Sequence, residues 1–167
     1  LGPALAELLA DLGATVVKVE RPGSGDDTRS WGPPFAADGQ STYFQSVNRN
    51  KASIALDLGV PADRDIAHAL AARADILVEN FKPGAMEEMG LGYDTLKAAN
   101  PRLIYANITG FGRDGPYGDW PGVDQIAQGM SGFMSITGTN ESGPIRVGLP
   151  VGDVCAGMWA ALGIQAA

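Results

Sequence analysis

The sequence predicts an α/β protein with an open, mostly parallel Rossmann-like sheet flanked by helices. Helical and β-rich segments alternate along the chain, which is typical of parallel α/β folds. The segment 76–78 is wholly apolar, as buried parallel strands are. Polar loops follow the strands, and in open α/β sheets ligands bind beyond the carboxyl ends of strands. The 167 residues are enough for one domain with this architecture.

The first predicted unit is a helix followed by a strand. Leucines recur at helical spacing over residues 4–12, and Gly13 is suited to end that helix. Residues 15–19 form a short β-rich run. A helix that leads directly into a strand is half of a βαβ unit, so we expect a further strand upstream of Leu1. The Gly/Pro-rich loop 21–40 follows, and its Gly-x-Gly lacks the third glycine and the helix of a dinucleotide-binding motif.

The remaining elements follow from the same periodicity arguments. We predict a helical turn at 43–47, a strand at 52–56, a helix at 61–74, the strand at 76–78, short helices at 85–89 and 93–99, a strand at 103–108, a helix at 123–130, and a final helix that starts near Pro150. The chain begins without a methionine and stops at Ala167 within an apolar helix. We therefore expect residues 1–167 to be a single domain from a longer protein.

Composition and charge exclude several classes of function. The net charge of −7 and the absence of a Lys/Arg cluster disfavour a nucleic-acid surface. No apolar run approaches the roughly 20 residues of a membrane span, and no signal peptide is recognisable. The lone cysteine, Cys155, cannot form an internal disulfide, and its place on the apolar final helix predicts a buried structural thiol. We expect a cytoplasmic protein.

The titratable residues exclude the commonest catalytic sites. One histidine and one cysteine do not make a metal-ligand set, so we expect no metal. A Ser-His-Asp hydrolase would need His68 as its base, but His68 falls on the polar side of its helix, and no Gly-x-Ser-x-Gly motif is present. No phosphate-binding Gly-Lys-Ser/Thr motif occurs either. The best remaining candidate is a carboxylate, Asp153.

Asp153 lies where the final apolar helix begins. A carboxylate there is stabilised by the helix dipole and can accept backbone N–H groups, so a capping role is one interpretation. The residues on its helix face are small or aliphatic: Gly157, Ala160, Ala161 and Ile164. This pattern predicts open space beside the carboxylate, which a cap does not need and a substrate-contacting group does. From the residues alone both interpretations stay open.

A set of motifs spread over the chain resembles the class III CoA-transferases, which include formyl-CoA and carnitine CoA-transferases. The motifs are Val17-Lys-Val-Glu-Arg-Pro-Gly-Ser-Gly-Asp26, Asp75-Ile-Leu-Val-Glu-Asn-Phe-Lys-Pro-Gly84, Met89-Gly-Leu-Gly-Tyr93 and Asn100-Pro-Arg-Leu-Ile-Tyr105. The resemblance implies the N-terminal part of a large Rossmann-like domain, a further small domain beyond this chain, and an interlocked homodimer.

The resemblance also implies a mechanism and a coenzyme A site. Asp153 corresponds to the family's nucleophile, which forms an aspartyl anhydride and then an aspartyl-CoA thioester, with acyl-CoA and a carboxylic acid as substrates. The implied CoA contacts are Leu1, Arg21, Leu56, Asp57, Leu58, Asn80, Phe81 and Lys82. Arg21 and Lys82 would supply charge for phosphates, and Leu56 and Leu58 an apolar wall for adenine.

Two positions depart from the family's pattern. The formyl-CoA members have a CoA-contacting arginine where this chain has Glu88 and a contacting lysine where it has Pro121. We therefore expect the phosphate contacts to differ, or Arg49, Lys51 or Arg113 to replace them.

Two alternatives to a transferase are retained. The α-methylacyl-CoA racemases share the fold and use a histidine directly before the residue equivalent to Asp124, but this chain has Val123 there, which disfavours a proton-transfer pair. The other alternative is a CoA-binding module without catalysis, or an inactive fragment.

Overall fold

The computed structural model describes residues 2–167. Its elements are α1 (Gly2–Asp11), β1 (Val16–Glu20), a 3-10 helix (Asp27–Ser30), α2 (Thr42–Ser46), β2 (Lys51–Ala55), α3 (Pro61–Ala71), β3 (Ile76–Glu79), α4 (Ala85–Glu88), α5 (Tyr93–Ala99), β4 (Ile104–Asn107), α6 (Asp124–Met130), a second 3-10 helix (Phe133–Ile136) and α7 (Val151–Ala166). The predicted order of helices and strands is confirmed. The 3-10 helices were not predicted, and α3 ends three residues earlier than expected. Within residues 2–167, no helix combines the length and apolarity needed to cross a membrane.

The four strands pair in parallel, as predicted. β1 pairs with β2 from Val16↔Lys51 to Glu20↔Ala55, and β3 pairs with β4 from Ile76↔Ile104 to Glu79↔Asn107. Within the described residues the two pairs are not hydrogen-bonded to each other, so they form two small sheets, both in contact with α1. Parallel pairing places the loops after β1 and β2 side by side, and likewise those after β3 and β4.

The core consists of two apolar clusters. One joins α1 and α7 to the β3–β4 pair through Leu5, Leu9, Ile108, Ala161 and Ile164. Leu5 has no exposed surface, and complete burial of a leucine contributes about 2 kcal/mol. The other cluster contains Ala71, Met86, Leu91, Leu96 and Leu103. The first cluster fixes α7, and hence Asp153, relative to the β3–β4 pair.

The small-residue face of α7 packs closely against α1. A Cβ atom placed on Gly157 would lie 3.4 Å from the backbone nitrogen of Leu5 and 3.7 Å from Cβ of Ala4. The prediction that Gly157 leaves open space for a substrate is therefore wrong: α1 occupies that space. Small side chains bring two helix axes close together, so this pattern reflects helix packing.

The prediction of a buried Cys155 is also wrong. Cys155 is exposed, because the packed face of α7 is the one that carries Gly157, Ala161 and Ile164, and Cys155 lies on the other side. The helix is apolar around its whole circumference, so its hydrophobic pattern does not reveal which face is buried.

Candidate active site around Asp153

Asp153 is the third residue of α7 and is half-buried. No group within residues 2–167 donates a hydrogen bond to its carboxylate. Burial, together with the negative charge of Asp124, raises the pKa of Asp153 above the ordinary value for aspartate. The side chain is therefore a partly desolvated carboxylate without a structural partner.

The start of α7 is capped by Asp124, from α6. Oδ1 of Asp124 accepts a hydrogen bond from the backbone nitrogen of Gly152 at 2.9 Å. Pro150, at the N-cap position, has no side-chain bond to offer. A Cβ on Gly152 would stand 3.1 Å from the same Asp124 oxygen, so a small residue suits this contact. The capping role that the sequence left open for Asp153 thus belongs to Asp124.

Gln128 ties the chain before α7 to α6. Its Nε2 donates to Oδ2 of Asp124 at 2.7 Å and to the carbonyl oxygen of Leu149 at 3.2 Å. Its Oε1 accepts from the backbone nitrogen of Val147 at 2.8 Å. No role was predicted for Gln128; the local signal for one is its four-residue spacing from Asp124, which suits an Asp–Gln pair on a helix.

A cavity that contains Tyr43 was also missed from the sequence. Burial, and next the negative charge of Asp153, raise the pKa of the Tyr43 phenol. The ring of Trp31 lies 5.3 Å from that of Tyr43. Both belong to a cavity of about 500 Å³ lined by Trp31, Gly32, Pro33, Pro34, Thr42, Tyr43 and Ser46. Its residues come from a loop and a short helix, where no periodicity marks them.

The expected CoA contacts after β1 and β2 are brought together. The backbone nitrogen of Leu56 donates to the carbonyl oxygen of Glu20 at 2.9 Å, so Arg21 and Leu56 begin adjacent loops. Arg21 is exposed and forms an ion pair with Asp27. The side chain of Leu56 is only 4% exposed, so the apolar surface expected from it is not available, whereas Leu58 is half-buried.

Asp57 is exposed and shapes the loop after β2. Its Oδ1 accepts from the backbone nitrogen of Gly59 at 2.9 Å, and its own nitrogen donates to Oδ2 of Asp63 at 2.7 Å. The carbonyl oxygens of Leu58 and Gly59 accept from Arg64. These bonds fix the backbone of the loop and so determine where Asp57 and Leu58 lie.

The loop after β1 is held by the buried carboxylate of Glu20. Arg29 donates to both of its oxygens at 2.8 Å, and Ser53 and the backbone nitrogen of Asp26 complete the set. The bond from Arg29 is the main reason that the pKa of Glu20 is lowered to about 2. The guanidinium of Arg29 also lies 3.9 Å from the ring centre of Phe44. This network orders the segment that carries Arg21.

The loop after β3 carries Asn80, Phe81 and Lys82, all exposed. Buried Glu79 supports it, because Oε2 of Glu79 accepts from the backbone nitrogen of Phe81 at 2.8 Å. Asn80 Oδ1 lies 3.4 Å from where a Cβ on Gly2 would stand, so this loop meets the start of α1. Since α1 also packs on α7, the loop after β3 and the Asp153 helix converge there. Leu1, the remaining expected CoA contact, lies outside the described residues.

The cations proposed to replace the missing phosphate contacts are already engaged. Arg49 pairs with Glu7 and Asp11, Lys51 donates to the carbonyl oxygens of Pro3 and Val47, and Arg113 pairs with Glu87. Burial lowers the pKa of Lys51 to about 8. Lys82, by contrast, forms no ion pair within the part of the chain that the structure describes, which leaves its charge available.

Comparison with known proteins gives the same family over the whole chain. The profile described as CoA-transferase family III matches residues 1–167. The chain is 48% identical to the succinate–glutarate CoA-transferase of Agrobacterium fabrum, over 99% of this chain and 43% of that protein. It is 47% identical to the acetyl-CoA:oxalate CoA-transferase of Acetobacter aceti, over 99% of this chain and 42% of that protein.

A solved structure agrees with the fold. The crystal structure of a CAIB/BAIF family protein from Brucella suis superposes with a TM-score of 0.94 at 44% identity, and the match covers 98% of this chain and 44% of that one. The chain thus spans less than half the length of the relatives it matches. The chain belongs to CoA-transferase family III.

Proposed function

We propose that the protein carrying this chain is an acyl-CoA:carboxylate CoA-transferase that uses Asp153 as its nucleophile. The observation that carries the proposal is that Asp153 is half-buried at a helix start without a hydrogen bond from residues 2–167, while Asp124 performs the capping. A carboxylate without a structural task, in a chain of this family, is suited to covalent catalysis. Its raised pKa increases its basicity and hence its nucleophilicity once ionised.

The proposed reaction proceeds through four acyl substitutions without net oxidation or reduction. An oxygen of Asp153 attacks the thioester carbonyl carbon of the donor, the C–S bond breaks, CoA leaves as a thiolate, and an anhydride between the donor acid and Asp153 is formed. The thiolate attacks the Asp153 carbonyl carbon, releasing the donor acid as a carboxylate and leaving an aspartyl-CoA thioester. The acceptor carboxylate attacks that thioester and expels the thiolate, and a second anhydride forms between the acceptor and Asp153. The thiolate then attacks the acceptor's acyl carbon, and the Asp153 carboxylate is the leaving group. The new acyl-CoA is released and the Asp153 carboxylate is regenerated.

We propose that coenzyme A binds along the loops after β1, β2 and β3. Lys82 is an exposed cation suited to a phosphate, Arg21 is exposed and would exchange its ion pair with Asp27 for one with a phosphate, and Leu58 offers apolar surface. Asp57, Asn80 and Phe81, on the same loops, remain predicted contacts, as does Leu1.

We propose short carboxylic acids as donor and acceptor. The relatives named above carry succinate, glutarate, acetyl-CoA and oxalate in their names. The cavity of about 500 Å³ at Trp31 and Tyr43 is of a size that suits a small acyl group, and the charge of Asp153 contributes to the raised pKa of Tyr43 in its wall.

The test is trapping of the covalent intermediate in the full-length protein. With succinyl-CoA and hydroxylamine, we expect Asp153 to be converted to its hydroxamate, detected by peptide mass spectrometry. Asp153→Asn should lower the transfer rate by at least about 10³-fold, because the nucleophile is lost, and leave CoA affinity unchanged. Asp94→Asn is the matched control, since Asp94 is an exposed aspartate in the first turn of α5. An unmodified Asp153 under turnover would refute the mechanism.

Two measurements separate the alternatives: proton exchange identifies a racemase, and the trapping assay identifies a non-catalytic module. A racemase would exchange the α-proton of a 2-methylacyl-CoA in deuterated water without any acceptor acid, and Val123 before Asp124 offers no base for that step. A non-catalytic module would bind CoA and form no adduct at Asp153.

We further propose a cytoplasmic homodimer in which residues 1–167 are part of the large domain. Val154, Met158, Trp159 and Leu162 of α7 are 45–73% exposed, and apolar surface of this extent on one helix supports burial in the assembled protein. Analytical ultracentrifugation of the full-length protein tests the dimer, and a monomer at micromolar concentration would contradict it.

A further inference from the structure

The buried side chain of Gln128 anchors the chain between α6 and α7. Gln128 is 2% exposed, and its carboxamide makes three hydrogen bonds, to Val147, Leu149 and Asp124. These partners bracket the approach to α7, whose third residue is Asp153. A buried amide with donor and acceptor both in use fixes the geometry of the groups around it.

The amide can adopt only one orientation. The backbone nitrogen of Val147 requires an acceptor, so Oε1 of Gln128 must face it. Nε2 then faces the carboxylate of Asp124 and the carbonyl oxygen of Leu149, which both accept. A flipped amide would place a donor against a donor and acceptors against acceptors. Gln128 therefore holds Oδ2 of Asp124 and leaves Oδ1 directed at Gly152.

This arrangement determines which backbone N–H groups the carboxylate of Asp153 can bind. A carboxylate at the third helical position normally competes for the unpaired N–H groups of the first turn. Pro150 has no N–H to offer, and Asp124 has taken that of Gly152. If Asp124 turned away, the N–H of Gly152 would become free to bind the carboxylate of Asp153.

We propose that Gln128 is a positioning residue for Asp153: by orienting Asp124 onto Gly152 and fixing Val147 and Leu149, it keeps the nucleophilic carboxylate directed at the substrate. The inference rests on the proposed function, since it requires Asp153 to react. It goes further, because it makes the reactivity of Asp153 depend on a buried residue that lies 25 positions earlier in the chain.

The test compares Gln128→Met with Gln125→Met in the full-length protein. Methionine has a similar length and no hydrogen bonds, and Gln125 is an exposed glutamine on the same helix. With succinyl-CoA and hydroxylamine in a single turnover, we expect Gln128→Met to slow hydroxamate formation at Asp153 by about 100-fold, the effect of a small misplacement of a reacting group. We expect the CoA Kd, measured by calorimetry, to stay unchanged, and Gln125→Met to behave as the unmodified protein.

A second variant guards against a folding defect. Gln128→Glu keeps the acceptor for Val147 but places a second acceptor against Asp124, so we expect it to slow the same step. If both variants fold and form the hydroxamate at the unmodified rate, the inference is overturned. It is also overturned if the variants lose CoA affinity in parallel with the rate, or if both fail to fold, because Gln128 would then support the structure in general. No adduct in the unmodified protein would overturn the proposed function itself, and with it this inference.

Discussion

Replacement of Gly157 by leucine tests whether α1 or a substrate occupies the space beside this glycine. A Cβ at Gly157 would stand 3.4 Å from the backbone nitrogen of Leu5, which is ordinary van der Waals contact. The further carbons of leucine would extend into the α1 backbone, which cannot move without disturbing the cluster around Leu5. Overpacking of this kind costs about 1–3 kcal/mol.

Gly157→Ala is expected to stabilise the fold, in contrast to Gly157→Leu. Alanine is about 1 kcal/mol more favourable than glycine inside a helix, and its single Cβ fits the gap against Leu5 and Ala4. We expect Gly157→Ala to raise the free energy of unfolding by up to about 1 kcal/mol and to leave CoA transfer unchanged.

Urea denaturation followed by far-ultraviolet circular dichroism measures both effects. A Cβ on Gly163, in the same helix, would have no neighbouring atom within 4 Å, so Gly163→Leu is the matched control without overpacking. Equal stability of Gly157→Leu and Gly163→Leu would refute the close packing of α1 on α7. A stable Gly157→Ala protein without transfer would restore the interpretation of this space as a substrate channel.

Two further predictions concern the loops that carry the proposed CoA contacts. The pKa of Glu20 is lowered to about 2 in the folded protein from an ordinary 4.5, so its ionised form stabilises the fold above about pH 4.5, and that contribution is lost as the pH falls towards 2. Allowing for solvent around the half-exposed Arg29, we expect Glu20→Gln to lower the free energy of unfolding, measured by urea denaturation, by about 2 kcal/mol at pH 7 and by less at pH 3. Glu88→Gln is the control, because Glu88 is exposed. A loss of stability that does not depend on pH would contradict the ion pair. Lys82→Gln should raise the CoA Kd, measured by calorimetry, about 10-fold, because one charge-assisted contact is lost. This effect should be smaller at high salt. Lys97→Gln, on exposed α5, is its control, and equal CoA affinity in both variants would remove Lys82 from the site.

The order of elements was predictable because its signals are local. Helical and strand periodicity, and turn residues such as Gly13, act over a few neighbouring positions. The apolar segment at β3 also predicted a parallel strand, and β3 and β4 do pair in parallel. Asp153 was identified as the candidate nucleophile by its place at a helix start and by the family resemblance.

The sequence by itself thus determined the α/β class, the succession of helices and strands, and Asp153 as the acid to explain. Only the tertiary structure decided which face of α7 is buried, because that helix is apolar all round. It also decided that Asp124, 28 residues from Gly152, caps α7, and that Gln128 bonds to Val147 and Leu149. These facts depend on contacts between residues far apart in the chain, which no local pattern encodes.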